Sequence, residues 1–201
     1  MSSNRSASSA VFGFVGRSGS GKTTLIAQVI AHLRVDGFSV AAIKRAHDGF
    51  DLDQPGKDSH RLREAGCREV MVVGDRRWAL LHEYRGDPEP EPLALARRMA
   101  TVDIVLVEGF KSAPIPMIEV YRPDLGRPPL WPEFETVVAV VTDAEIQCPR
   151  PILAPDDVRG VASFIVGYLG MSIGAISSLQ DHRRMVGDRA WNSRGMGRQR
   201  R

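Results

Sequence analysis

Residues 16–23 read G-R-S-G-S-G-K-T and fit the phosphate-loop pattern G-x-x-x-x-G-K-[ST]. This stretch limits the fold more than any other, because its chemistry works only where a buried strand ends and a helix begins. Val11-Phe12-Gly13-Phe14-Val15 precedes it as an apolar run, and Leu25, Ile26, Val29, Ile30 and Leu33 follow at helical spacing. Glycines there let backbone N–H groups curl around phosphate oxygens, and the helix N-terminus adds partial positive charge. Gly16, Ser18, Gly19, Ser20, Gly21, Lys22, Thr23 and Thr24 are therefore the candidate nucleotide-binding residues. Lys22 is spaced to reach the β- and γ-phosphates, and the Thr23 hydroxyl to ligate Mg²⁺. The competing reading is a glycine-rich turn with no ligand, and the matched strand and helix on either side favour the nucleotide.

The elements after this unit alternate. Phe38–Ile43 reads as a second strand, and Asp58–Ala65 as a short helix with Asp58 as its N-cap and Gly66 closing it. Glu69–Val73 and Trp78–Tyr84 flank a Gly-Asp turn as a hairpin, and Pro92 opens a helix that runs to about residue 100. Ile104–Val107 is almost wholly apolar, as a central parallel strand requires. Met117–Tyr121, Val137–Val141 and Ile152-Leu153 supply further strands, Arg122–Pro132 is a Pro-rich loop, and Asp156 or Asp157 caps a last helix to Tyr168. The expected fold is α/β: a P-loop NTPase-like three-layer fold with a mainly parallel sheet and an antiparallel edge hairpin. Residues 11–170 would form this domain, between a flexible N-terminus at 1–10 and an Arg-rich, disordered tail at 171–201.

Ligands of open α/β sheets bind at the carboxyl ends of the strands, which turns those ends into a search list. The second strand ends in Lys44, with His47, Asp51 and Asp53 in the loop beyond. Asp51 and Asp53 would share a side of an extended loop and are candidate Mg²⁺ ligands, against the reading of a solvated acidic loop; His47 reads as an ordinary loop residue. Glu108 follows four apolar residues, where an acid can hold a Mg²⁺-bound water or orient an attacking one. Lys22 and Glu108 are the candidate catalytic pair, and Thr23, Glu108, Asp51 and Asp53 the candidate metal set. Asp103, at the opposite end of that strand, reads as structural. Arg17 is either solvent-facing or a finger stabilising transition-state charge. Asp143 ends a late strand and is a further nucleotide-binding candidate, because a carboxylate accepts from guanine N1–H and the 2-amino group. The Asn-Lys-x-Asp string of many GTPases is absent, so the residues by themselves leave guanine and adenine open.

The net charge of +3 is uneven. Residues 171–201 hold seven arginines and two aspartates, so that segment carries +5 and residues 1–170 carry −2. Basicity therefore gives no reason to expect nucleic acid at the domain, and no apolar run approaches a membrane span. Cys67 and Cys148 form no metal-binding pattern, and the small polar N-terminus is unlike a signal peptide. A cytoplasmic protein with reduced thiols is expected.

Four stretches carry a family resemblance: G-R-S-G-S-G-K-T-T at 16–24, D-L-D-Q-P-G-K-D-S at 51–59, R-L-R-E-A-G at 61–66 and D-I-V-L-V-E-G-F-K at 103–111. The chain resembles the MobB-type accessory proteins of molybdenum cofactor biosynthesis over about residues 10–170. The phosphate loop is unspecific, whereas P-G-K-D-S combined with V-E-G-F-K is quite specific. The resemblance implies a GTP- and Mg²⁺-binding homodimer with at most weak GTPase activity. It also implies a partner, the guanylyltransferase that joins GMP to molybdopterin, and leaves molybdopterin itself as a candidate ligand. The alternative is a P-loop small-molecule kinase, although four prolines stiffen the loop at 121–132 that would have to serve as its lid.

Overall fold

A computed structural model describes residues 9–46 and 54–172. Along them run β1 (Ala10–Val15), α1 (Lys22–Val35), β2 (Val40–Lys44), α2 (Asp58–Glu64), β3 (Glu69–Val73) and β4 (Trp78–His82). Then follow α3 (Pro92–Arg98), β5 (Ile104–Glu108), β6 (Met117–Val120), β7 (Val137–Val141), β8 (Ile152–Leu153) and α4 (Val158–Tyr168).

The apolar runs form one six-stranded sheet in the order β2-β5-β1-β6-β7-β8, with every pairing parallel. Strands buried on both faces need no polar alternation, which is why Ile104 to Val107 read as continuous apolar sequence and are all buried. On one face Phe12, Phe14, Ile104, Leu106 and Ile118 pack with Leu25, Val29 and Leu33 of α1 and Val161, Ala162 and Ile165 of α4. On the other, Val105, Val107, Met117 and Val137 pack with Ala96 of α3 and with Phe110, Ala113, Ile115 and Leu130 from loops. The result is three layers. Asp157 caps α4 by accepting from the Gly160 N–H at 2.8 Å.

Parallel pairing brings the carboxyl ends of the strands to one edge of the sheet. From β1 the chain crosses to β2 on one side, while β6, β7 and β8 extend on the other. The crevice at that reversal, the expected ligand position, opens at the end of β1 where the glycine loop begins. Asp103, at the far end of β5, accepts from the Ser39 N–H at 2.7 Å and holds the β2 entry, the structural part expected of it.

Two details differ from the sequence expectation. The hairpin forms, but β3 and β4 pair only with each other, in a two-stranded antiparallel sheet separate from the six-stranded one. Its apolar residues indicate strands without specifying what they pair with. Asp58 is the first residue of α2 rather than its cap; Lys57 occupies the cap position and makes no side-chain cap bond. A carboxylate in the first turn still opposes the positive end of the helix. Cys67 and Cys148 are free thiols. The expectations for residues 1–8, His47, Asp51, Asp53 and 173–201 lie outside the described residues. Among the described residues no helix is long and apolar enough to cross a membrane.

Candidate functional site

The glycine loop takes its shape from backbone that side chains would forbid. Gly16 has φ 144°, and a Cβ on it would come 2.4 Å from the Val120 carbonyl oxygen. Gly21, the cap of α1, has φ 91°. Its side-chain-free position leaves the first N–H groups of α1 open to a ligand, since no side-chain cap occupies them.

Lys22 folds back over the loop. Its Nζ donates to the Arg17 carbonyl at 2.7 Å and reaches Ser20 Oγ at 3.5 Å. Burial pulls the ammonium below its ordinary pKa; Glu108 raises it in compensation, and Lys44 adds to the lowering. A cation stripped of water in this way gains most from a bound anion.

Thr23 and Glu108 meet at the next level. Thr23 Oγ1 lies 2.8 and 3.0 Å from the two Glu108 carboxylate oxygens. Lys44 completes the group, with Nζ 3.1 Å from Thr23 Oγ1 and 3.5 Å from Glu108 Oε2. The pairing of β2 with β5 sets this arrangement, because Lys44 and Glu108 are register partners at the strand ends. Three hard oxygens thus sit beside the start of α1. That is the kind of partial shell Mg²⁺ accepts, since it fills its remaining positions with water and phosphate oxygens. Among the described residues no group of three or more His, Cys, Asp or Glu could hold a metal by itself.

A cavity of about 690 Å³ connects these residues, lined by the loop, Lys44, Arg45, Glu108, Gly109, Phe110 and Lys111. Of the sequence candidates, Gly16, Ser18, Gly19, Gly21, Lys22, Thr23, Thr24 and Glu108 all face it. Ser20 does not; it is buried and borders a second cleft. Asp143 stands apart, in that cleft on the other flank of α1, which Gly21 and Thr24 also border. Arg17 donates to the Pro128 carbonyl at 3.3 Å.

Two residues were missed. Lys44 stands at a strand end, but a terminal lysine carries no pattern that assigns it a part. Glu119 was not singled out at all. It is fully buried in β6, and its carboxylate accepts from the Leu130 N–H at 2.9 Å and the Trp131 N–H at 3.0 Å. Burial pushes its carboxyl up from the ordinary value, opposed by those two N–H groups and by Arg17. The signal was available: one charge in the apolar strand Met-Ile-Glu-Val, ahead of a long loop whose backbone needs partners. Glu119 and Arg17 together hold residues 121–131 as a strap across the glycine loop.

Fold and geometry define a P-loop NTPase-like α/β protein. The family model for molybdopterin guanine dinucleotide synthesis protein B, MobB, matches residues 11–143, and the chain belongs to that family. It is 37% identical over 166 residues to the molybdopterin-guanine dinucleotide biosynthesis adapter protein of Haemophilus influenzae, spanning 82% of this chain and 92% of the relative. The protein of the same name from Escherichia coli K12 is 38% identical over 159 residues, 78% of this chain and 91% of that one. A crystal structure of molybdopterin-guanine biosynthesis protein B is 26% identical and superposes with a TM-score of 0.62, covering 79% of this chain and 99% of that chain.

Proposed function

We propose that this protein is an adapter in molybdopterin-guanine dinucleotide biosynthesis that binds GTP·Mg²⁺ and assists a guanylyltransferase. The observation that carries the nucleotide part is the convergence of Lys22, Thr23, Lys44 and Glu108 at the mouth of the glycine loop. The helix N-terminus and Lys22 would hold the β- and γ-phosphates. Thr23 and Glu108 would share a hydrated Mg²⁺, which offsets phosphate charge and polarises the terminal phosphoryl group. Lys44 would exchange its bond to Thr23 for the γ-phosphate. No residue in the described cavity stands as a water-orienting glutamine, so hydrolysis is expected to be slow. The adapter part rests on family membership and on the names of the relatives, which match over nearly their whole length.

A homodimer is part of the proposal. The β3–β4 hairpin places Met71 opposite Leu80 and Val73 opposite Trp78, which puts four exposed apolar side chains on one face. A two-stranded sheet is marginal by itself, and a second copy laid on this face would bury the stripe. The proposed setting is the cytoplasm. Molybdopterin is left as a ligand of the partner. Family membership weighs against the small-molecule kinase.

Calorimetric titration with GTP and ATP in the presence of Mg²⁺ tests the nucleotide part. Saturable GTP binding, tighter than ATP, is expected; absence of binding to either would refute it.

A further inference from the structure

Arg45 stands just beyond Lys44 in the wall of the main cavity and has no part in the chemistry above. The backbone around it seats its stem. The Arg45 N–H donates to the Glu108 carbonyl at 3.0 Å. A Cβ on Gly109 would come 3.0 Å from Arg45 Cβ, so glycine at that position lets the arginine lie against the residue that follows Glu108. Phe110 has φ 51°, a left-handed backbone that is costly for a bulky residue, and its ring centroid lies 5.4 Å from the Arg45 guanidinium carbon. The head of the side chain is engaged elsewhere. Nε donates to Glu89 Oε1 at 2.9 Å and Nη2 to Glu89 Oε2 at 2.6 Å. Glu89 belongs to the segment between β4 and α3 and is not among the residues lining the cavity. A phosphate site thus carries at its rim an arginine whose stem is fixed and whose fork is held by a carboxylate from outside.

Arg17, the arginine that the sequence offers for transition-state charge, donates to the Pro128 carbonyl instead. We propose that Arg45 is the catalytic arginine of GTP hydrolysis and that Glu89 holds it in reserve, a proposal that rests on the nucleotide reading above. In that step a water oxygen bonds to the γ-phosphorus as the bond from phosphorus to the β,γ-bridging oxygen breaks. GDP leaves with the electron pair. The water supplies the hydroxyl of the product phosphate and releases its other proton to solvent. Negative charge shifts onto the bridging oxygen, and a guanidinium placed there stabilises the transition state more than the ground state. Glu89 competes with those phosphate oxygens for the same planar fork. The two side chains are 40% and 39% exposed, so solvent screens their attraction and the exchange of partners costs little. Only the outer torsions of Arg45 need rotate, with the stem staying on Gly109. Slow hydrolysis then has a second cause beside the missing glutamine, since Glu89 shares the arginine with the phosphate.

The test is single-turnover hydrolysis of Mg²⁺·GTP by the full chain, set beside calorimetric GTP affinity. It compares the parent with Glu89→Gln, Arg45→Ala, Arg45→Lys, the double variant Arg45→Ala/Glu89→Gln, and Glu83→Gln. Arg45 and Glu89 are exposed, so folding is not at stake. Glu89→Gln should raise the rate about fivefold with affinity kept, because the charge that competes for the fork is gone. Arg45→Ala should lower the rate about tenfold or more, and the double variant should be no faster than Arg45→Ala. Arg45→Lys should match Arg45→Ala, since an ammonium lacks the planar fork. Glu83→Gln breaks the Arg63–Glu83 pair of 2.8 Å on the same segment and should keep the parent rate. An unchanged rate in Glu89→Gln, a gain that survives in the double variant, or an equal gain in Glu83→Gln would overturn the proposal while GTP binding stands. A parent that binds no GTP would instead overturn the nucleotide reading, and the part of Arg45 with it.

Discussion

The Thr23 hydroxyl lies 2.8 Å from a Glu108 carboxylate oxygen, joining the start of α1 to the end of β5 across 85 positions of sequence. Both belong to motifs visible in the chain, but only the parallel pairing of β1 with β5 brings the motifs together. Lys44, a register partner of Glu108 on the other side, makes the pair a cluster whose charge is nearly balanced before any ligand arrives.

Glu108→Gln keeps the size of the side chain and removes its charge. Hydrolysis of GTP at saturating Mg²⁺ should fall about tenfold or more with nucleotide affinity largely kept, because the lost interaction is electrostatic and acts on the transferring group. Single-turnover rates set beside calorimetric affinities give the answer. Equal rates in variant and parent would reduce Glu108 to an anchor for Thr23.

Lys22→Ala should abolish measurable GTP binding with little change in thermal stability. Among the described residues the Nζ bonds to the Arg17 carbonyl and Ser20 Oγ at the loop, and burial disfavours its charge. A variant that unfolds tens of degrees early would mean that the ammonium holds the loop rather than the ligand.

Glu119 is expected to govern the strap. Glu119→Ala removes the acceptor of two buried N–H groups and should cost about 2–4 kcal/mol in urea unfolding. Glu119→Gln keeps an acceptor and discards the titration. The folded protein holds the Glu119 proton to higher pH than the unfolded chain does, since its carboxyl is raised from 4.5. The stabilising share of that proton is full below the unfolded value and is lost as pH rises through the raised one. Glu119→Gln should therefore gain on the parent as pH rises through that window, and parallel stability profiles would count against a buried titrating carboxylate.

The hairpin face gives a prediction about assembly. Val73 and Trp78 are paired across the strands and exposed by 72% and 64%. Trp78→Asp should convert a dimer into a monomer in light scattering while leaving GTP affinity at the main cavity intact. A parent that is already monomeric at micromolar concentration would remove the proposed dimer.

What could be read in advance divides by the range of the interaction. Gly16 to Thr24 and Ile104 to Glu108 were legible because their chemistry is local: a loop that needs glycine, a strand that needs continuous apolar residues. Val137–Val141 and Ile152-Leu153 were legible for the same reason, down to their ends. The cluster of Lys44 with Thr23 was not, because it depends on which strand lies beside β5, and strand order is a property of the whole sheet. Glu119 hides for a related reason: its partners are backbone N–H groups, which no residue type announces. The hairpin shows the limit from the other side, where short apolar runs specify strands and leave their neighbours open.

In the proposed role a nucleotide-loaded adapter acts on a guanylyltransferase. The most direct measurement is the rate at which such an enzyme guanylylates molybdopterin, with this protein absent, present, or present as Lys22→Ala. The proposal predicts that the parent raises the yield or rate and that Lys22→Ala does not. Equal guanylylation in all three, with the parent binding GTP throughout, would contradict it.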